Sequence, residues 1–352
     1  MYTNKAIAEA KAITGPQHYN NIGGKDRMKT VKVGLLGLGN IGTGTYKTLE
    51  MNKAQIEEAA GCKVEITKIL ERDTTRERDI TVVPEQFTQD PDSIFKDPEI
   101  DIVIELLGGI EPASTFMLTA LENGKHVVTA NKAAVAANFD KLMKAAKDNG
   151  VEFRFEASVG GGIPILNAIT TVLQANQFEE ILGILNGTTN YILTQMTEYG
   201  LAYEDVLKKA QELGFAEADP TADVEGIDVA NKLSILMALA FDKYVAPEDI
   251  PTEGITKITK EDIAAAAEKG CKIKLIAEAK LVGDTVEYSV KPMELPVSHP
   301  LAGINNEFNA VFVTGNAVDE LMFYGKGAGP LPTGSAVMGD VLEIAKICGR
   351  NK

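Results

Sequence analysis

The 352-residue chain carries 35 Lys+Arg against 50 Asp+Glu, a net charge of −15 at pH 7, with 45% hydrophobic and 24% charged residues. That length suits two domains, or one large α/β unit with an insertion, and the apolar fraction is enough for a sizeable core. The acidic balance repels phosphodiester backbones, and no basic stripe interleaved with aromatics counters it, which argues against nucleic acid as a partner. Cys62, Cys271 and Cys348 show no C-x-x-C spacing, against a zinc site or disulfide framework and for a reducing, cytoplasmic setting. The longest apolar runs, such as 233–241, fall short of the roughly 20 residues that cross a bilayer, so no membrane partner is expected. Residues 1–28 lack the continuous apolar stretch of a signal peptide. They read as an extension without assigned function: a disordered arm, an oligomer contact, or the result of a start misplaced ahead of Met28.

From residue 29 the pattern becomes α/β. A buried strand is expected at 31–36, a helix from 42 to about 55, strands at 64–70 and 102–106, a helix at 112–123, a strand at 127–128 and a helix at 133–148. Strands alternating with helices imply a parallel sheet, here a Rossmann-type nucleotide domain over 29–158. The triple glycine Gly160-Gly161-Gly162 marks a change of texture. Beyond it, 159–315 reads as an α+β domain, with strands at 179–185, 274–279 and 286–291 and helices at 203–213, 224–241 and 263–271. A C-terminal segment, 316–352, is expected to return to the nucleotide domain through a helix from about Gly334.

Between the first strand and helix lies Gly37-Leu38-Gly39-Asn40-Ile41-Gly42. In a G-x-G-x-x-G turn the first glycine allows the bend, the second admits a pyrophosphate close to the backbone, and the third lets helix and strand pack; the helix N-terminus faces the anion. The motif alone is weak, but its place at the head of a βαβ series points to a dinucleotide, with Gly37, Gly39, Asn40, Ile41 and Gly42 as contacts. The second strand ends in Glu71-Arg72-Asp73. Arg72 suits the 2′-phosphate of NADP, whereas Glu71 or Asp73 suits the ribose hydroxyl of NAD, and a solvated charged turn is the bland alternative.

The stretch from Glu212 to Lys232 holds six carboxylates and runs into a mostly apolar helical continuation, 233–241. Asp228 and Lys232, four apart, share a helical face. They are either an exposed ion pair or a buried acid and ammonium retained for chemistry. Lys132 follows a strand of the nucleotide domain, where open sheets bind ligands; it either transfers a proton there or is simply solvated. The histidines compete poorly: His18 is in the extension, His126 opens a strand and His299 precedes Pro300. Lysines and carboxylates are left to move any proton.

The glycine motif, Val128-Thr129-Ala130-Asn131-Lys132, Glu156-Ala157-Ser158-Val159-Gly160-Gly161-Gly162-Ile163-Pro164-Ile165, Leu185-Asn186-Gly187-Thr188-Thr189-Asn190-Tyr191-Ile192-Leu193, the 213–232 segment and Tyr324-Gly325-Lys326-Gly327-Ala328-Gly329 occur in this order. Together they resemble the homoserine dehydrogenase family over most of residues 31–340. The resemblance implies NAD- or NADP-dependent interconversion of L-homoserine and L-aspartate 4-semialdehyde, on the route to threonine, methionine and isoleucine. It implies Lys232 as proton donor, Lys132 as a second lysine at the reacting end, and Glu217 and Asp228, supported by Asp223, as substrate ligands. It also implies Gly108, Lys132, Gly214, Glu217 and Gly327 against the cofactor, and a monovalent cation, sodium, held by Glu156 and the carbonyls of Val159, Gly161 and Ile163. For that glycine-rich segment the bland alternative is a flexible domain crossover without an ion.

The family also implies a homodimer formed by the substrate domains. Many members continue into a C-terminal domain that senses threonine; this chain stops at Lys352, so feedback control of that kind is not expected. Two alternatives remain open on sequence alone: a dehydrogenase of another amino-acid semialdehyde, and a catalytically silent nicotinamide-binding redox sensor.

Overall fold

The computed structural model describes residues 28–350. All of the expected N-terminal extension except Met28, together with His18, therefore lies outside the described residues.

Val31, Val33, Leu35 and Leu36 are fully buried and form the central strand β1 (Thr30–Leu36). Around it lie β2 (Lys63–Leu70), β3 (Phe87–Thr88), β4 (Ile100–Glu105), β5 (His126–Thr129) and β6 (Phe153–Arg154), paired in the order β3-β2-β1-β4-β5-β6. Every pairing is parallel, the doubly wound arrangement expected. The strand order reverses between β1 and β4, and ligands of such sheets bind in the crevice at the carboxyl ends there.

Helix α1 (Asn40–Ala60) follows β1 and α2 (Ala113–Glu122) follows β4. The helix expected over 133–148 is two, α3 (Lys132–Ala137) and α4 (Phe139–Asn149). The break falls at Asn138, whose amide donates to Ser114 Oγ at 2.9 Å. Asn131 starts α3 by accepting from the Ala134 N–H at 3.1 Å. A side-chain cap is worth about 1 kcal/mol and fixes where Lys132 leaves the backbone.

The second domain is an antiparallel sheet in which β7 (Phe178–Ile184), β8 (Cys271–Val282), β9 (Thr285–Pro296), β10 (Phe308–Gly315) and β11 (Asp319–Lys326) pair in the order β11-β10-β7-β8-β9. Helices α5 (Gly187–Tyr199), α6 (Tyr203–Glu212), α7 (Ile227–Ala240) and α8 (Lys260–Glu268) accompany it. The sequence reading lacked α5, whose first turn Gly-Thr-Thr-Asn has poor helix propensity. The helix expected over 224–241 is interrupted at Gly226, at φ +82°, so a separate turn precedes α7. Helix α8 begins earlier than expected because Thr259 and Asp262 form a capping box, and Cys271 belongs to β8.

The domain boundary expected at 315/316 falls inside the β10–β11 hairpin. The chain stays in the second sheet through Lys326 and returns through α9 (Pro330–Arg350), which starts at Pro330 rather than Gly334. This helix lies close against α1: a Cβ on Gly44 would come within 2.1 Å of the Pro330 carbonyl oxygen, and one on Gly334 within 2.7 Å of the Gly44 backbone. Val337, Met338, Val341, Ile344 and Ala345 of α9 share one core with Val31, Val33 and Leu35 of β1.

Candidate active site

At the nucleotide side, the Gly37 N–H donates to the Leu70 carbonyl at 2.9 Å and the residue sits at φ +93°, a conformation open to glycine. A Cβ on Gly42 would lie 2.3 Å from the Gly37 oxygen, while one on Gly39 would meet no protein atom. The three glycines thus divide into bend, open approach and tight packing. Asn40 and Ile41 open α1, where first-turn N–H groups have no intrahelical partner and Gly39 supplies no side-chain cap.

Glu71 is engaged locally. One of its oxygens accepts from the Leu38 N–H at 2.9 Å and lies 3.3 Å from Arg78; the other accepts from the Asp73 N–H at 3.1 Å. Arg78 is fixed in turn by the carbonyls of Leu38, Arg76 and Asp73. Arg72 is exposed at the end of β2. A 570 Å³ cavity beside the loop is lined by Asn40, Lys47, Arg76, Arg78 and Lys326, among others. Gly108, at φ +79°, lies in the loop after β4. That loop is held by Glu105, whose carboxylate accepts from the Leu107 N–H at 2.7 Å and the Thr129 hydroxyl at 2.7 Å. Burial raises the Glu105 carboxyl above its ordinary range.

Across the crevice, α7 carries Asp228 and Lys232 on one face, as its spacing requires. Both are buried, at 6% and 8% exposure. Lys232 Nζ lies 2.7 Å from Asp228 Oδ2 and donates to the Leu185 carbonyl at 2.6 Å. Lys132, reaching from α3 of the other domain, lies 3.0 Å from Asp228 Oδ1. One carboxylate therefore meets two ammoniums. Burial alone would raise Asp228, but Lys232, Lys132 and a hydrogen bond from Asn186 hold it well below the ordinary carboxylate range. Burial lowers Lys232, against the pull of Asp228, whereas the Asp228 charge raises Lys132. Burial and the neighbouring Asp228 charge push Asp223 up.

Lys132, Glu217, Asp223, Asp228 and Lys232 line a 540 Å³ cavity shared with Ile41, Gly161, Gly214 and Gly327. Glu217 is exposed, and Gly214, at φ +77°, turns the chain after α6. A Cβ on Gly327 would collide with the Asn309 amide. Gly37, Gly39, Gly42, Arg72 and Gly108 do not line this cavity.

Glu156 is buried, and its carboxylate accepts from the N–H groups of Leu166 at 2.9 Å and Asn167 at 2.6 Å; burial raises it. Val159 is fully buried, and the Ile163 carbonyl accepts from the Ile165 N–H at 2.8 Å. Among the described residues no group of three or more His, Cys, Asp or Glu side chains is placed to hold a metal ion. His126 and His299 each use Nδ1 to accept a backbone N–H, from Glu152 and Leu301.

The sequence reading missed Asn186, Thr188, Arg78 and Glu105. Asn186 and Thr188 bond to Asp223, 37 and 35 residues away. The available signals were the Asn-x-x-Thr cap pattern for Asn186 and an acid closing an apolar strand for Glu105.

Residues 164–342 match the family model described as homoserine dehydrogenase, and residues 37–156 match that of the homoserine dehydrogenase NAD binding domain. The homoserine dehydrogenase of Bacillus subtilis (strain 168) is 46% identical over 319 residues, covering 91% of this chain and 74% of that protein. The crystal structure of a homoserine dehydrogenase from Thiobacillus denitrificans superposes with a TM-score of 0.89 at 44% identity, over 92% of this chain and 75% of that one. A hyperthermophilic archaeal homoserine dehydrogenase in complex with NADPH superposes with a TM-score of 0.74 at 25% identity, over 89% and 97% of the two chains.

Proposed function

Because the chain belongs to the homoserine dehydrogenase family, we infer that its interdomain cleft interconverts L-homoserine and L-aspartate 4-semialdehyde with a nicotinamide cofactor. The observation that carries the residue assignment is Asp228 presenting one oxygen to Lys132 and the other to Lys232 at 3.0 and 2.7 Å. When bound, the nicotinamide supplies or accepts the hydride. In the reducing direction Lys232 places an ammonium against the aldehyde oxygen, stabilises the negative charge that grows there and hands over its proton; in the oxidising direction it takes the proton of the homoserine hydroxyl. Burial that lowers Lys232 favours such an exchange. Lys132 adds a second positive charge at the same end. Asp228, Asp223 and Glu217 hold the substrate ammonium by charge-assisted hydrogen bonds.

For the cofactor, Glu71 already accepts two backbone N–H groups and faces Arg78. It is therefore withdrawn from a ribose 2′-hydroxyl, while Arg72 and Arg76 are exposed nearby. We read this as favouring NADP over NAD, with Asn40 and Ile41 on the pyrophosphate. A cation at Glu156 and the carbonyls of Val159, Gly161 and Ile163 would have a single charged donor, which suits sodium rather than a divalent ion. Family resemblance supports a homodimer through the second domains and a place in the synthesis of threonine, methionine and isoleucine in the cytoplasm. No helix among the described residues is long and apolar enough to cross a membrane.

The test is absorbance of the reduced nicotinamide with purified protein, homoserine, and NADP or NAD in parallel. Homoserine-dependent reduction, faster with NADP, is expected. No reduction with either cofactor would overturn the activity, and equal rates would overturn the cofactor reading alone.

A further inference from the structure

The Asn186-Gly187-Thr188-Thr189-Asn190 segment has no part in the proton transfer outlined above, yet Asn186 is 5% exposed and lies between two acids of the cleft. Its amide nitrogen donates to Asp223 Oδ1 at 2.7 Å and to Asp228 Oδ2 at 2.9 Å. Its amide oxygen faces the other way and accepts from the N–H of Thr189 at 2.8 Å and its hydroxyl at 3.0 Å, at the start of α5. Only one orientation of this amide satisfies its neighbours. Turned over, its oxygen would face two carboxylates and its NH₂ would face a backbone N–H.

Helix α5 therefore fixes the direction of the amide, and the amide fixes the two acids. Asp228 Oδ2 sits between Asn186 and Lys232, which leaves Oδ1 for Lys132. Thr188 adds a hydrogen bond to the other oxygen of Asp223 at 3.2 Å.

We propose that Asn186 is a positioning residue for the dehydrogenase reaction: its amide clamps Asp223 and Asp228 side by side, so that Asp228 offers one oxygen to each lysine and Asp223 remains an anion for the substrate ammonium. The proposal rests on the function inferred above and deepens it. Without the clamp the two carboxylates repel each other at short range, Asp223 gains a proton, and Asp228 turns away from the geometry that aims Lys232.

The experiment compares Asn186→Asp and Asn186→Ser with the wild-type enzyme. Both replacements are good helix N-caps, so both keep the hydrogen bond that starts α5 and lose the clamp. Thermal unfolding and binding of reduced nicotinamide report whether the fold and the cofactor side are intact. Steady-state homoserine oxidation is measured against pH. The expected result is near-wild-type unfolding and cofactor affinity, with kcat reduced about 10²-fold, the usual cost of a misplacement of about 1 Å, and KM for homoserine raised less. In Asn186→Asp the acid limb also moves to higher pH, because the carboxylates at 186 and 223 share a proton. Folded variants with wild-type kcat and pH profile would reduce Asn186 to a helix cap and overturn the proposal. Should the Asp variant fail to fold, the Ser variant decides on the same kinetics; failure of both would make Asn186 a structural residue and equally overturn it. A wild-type enzyme that binds cofactor but leaves homoserine unchanged would refute the parent function instead.

Discussion

The two walls of the cleft are made of different material. The nucleotide side is built mainly from the main chain: three glycines in a turn, the first N–H groups of α1 and the loop held by Glu105. The opposite side is built from side chains packed against one another, with Asp228 at the centre of Asn186, Lys132 and Lys232. A main-chain wall tolerates any side chain that leaves its backbone path alone. A side-chain wall fails when one functional group is lost, even with the fold intact.

This contrast is broken most severely at Lys232. Lys232→Ala removes the proposed proton donor, and kcat is expected to fall by about 10²–10⁴-fold while cofactor affinity, measured by nicotinamide fluorescence, stays close to wild type. Loss of cofactor affinity to the same degree would mean that the two walls are not separable. Within the main-chain wall the glycines are expected to part company. Gly42→Ala forces a Cβ to 2.3 Å from the Gly37 oxygen and should cost about 1–3 kcal/mol of stability in denaturant unfolding. Gly39→Ala meets no protein atom, so its stability should hold while cofactor binding weakens about tenfold, or about 1.4 kcal/mol. Equal stabilities for the two variants would remove the distinction between packing and approach.

A pH-dependent effect concerns Lys274, like Lys232 a buried lysine of the second domain, which bonds to the Asn190 amide oxygen at 2.9 Å and the Ile304 carbonyl rather than to a carboxylate. Burial lowers it from 10.5 to about 8. Between those values the unfolded chain holds more protons than the folded one, so this group makes stability rise with pH across that window. The rise is at most about 1.4 kcal/mol per pH unit. Subtracting the unfolding free energy of Lys274→Met from that of wild type at each pH should isolate the slope; a flat difference would show that Lys274 stays charged throughout.

The strand, glycine turn and helix at residues 30–60 were legible because each is a local pattern: an apolar run, fixed glycine spacing and an N-terminus. The Asp228–Lys232 pair was legible as two residues on one helical face and Lys132 as a residue just past a strand end, and family resemblance added their roles. What remained hidden depends on partners distant in sequence. Asn186 is satisfied by acids 37 and 42 residues on, and the withdrawal of Glu71 depends on Arg78 folding back over the glycine turn. The split at Asn138 and the short start of α7 at Gly226 reflect tertiary demands that helical periodicity does not register. Helix α5 went unread because its first turn is poor in propensity and is held by tertiary contacts, including the Asn190 amide donating to the carbonyls of Ile304, Asn306 and Phe308.

Helix α9 completes a core that β1 begins some three hundred residues earlier. During synthesis the strands of the parallel sheet and α1 leave the ribosome first, but α9, which shares with α1 the layer over one face of the sheet, is made last. The nucleotide-binding unit thus waits, with Val31, Val33 and Leu35 lacking their final neighbours, until the whole second domain has been translated. The first part of the molecule to appear is among the last to be finished, and the waiting interval is when its exposed apolar face depends most on chaperones.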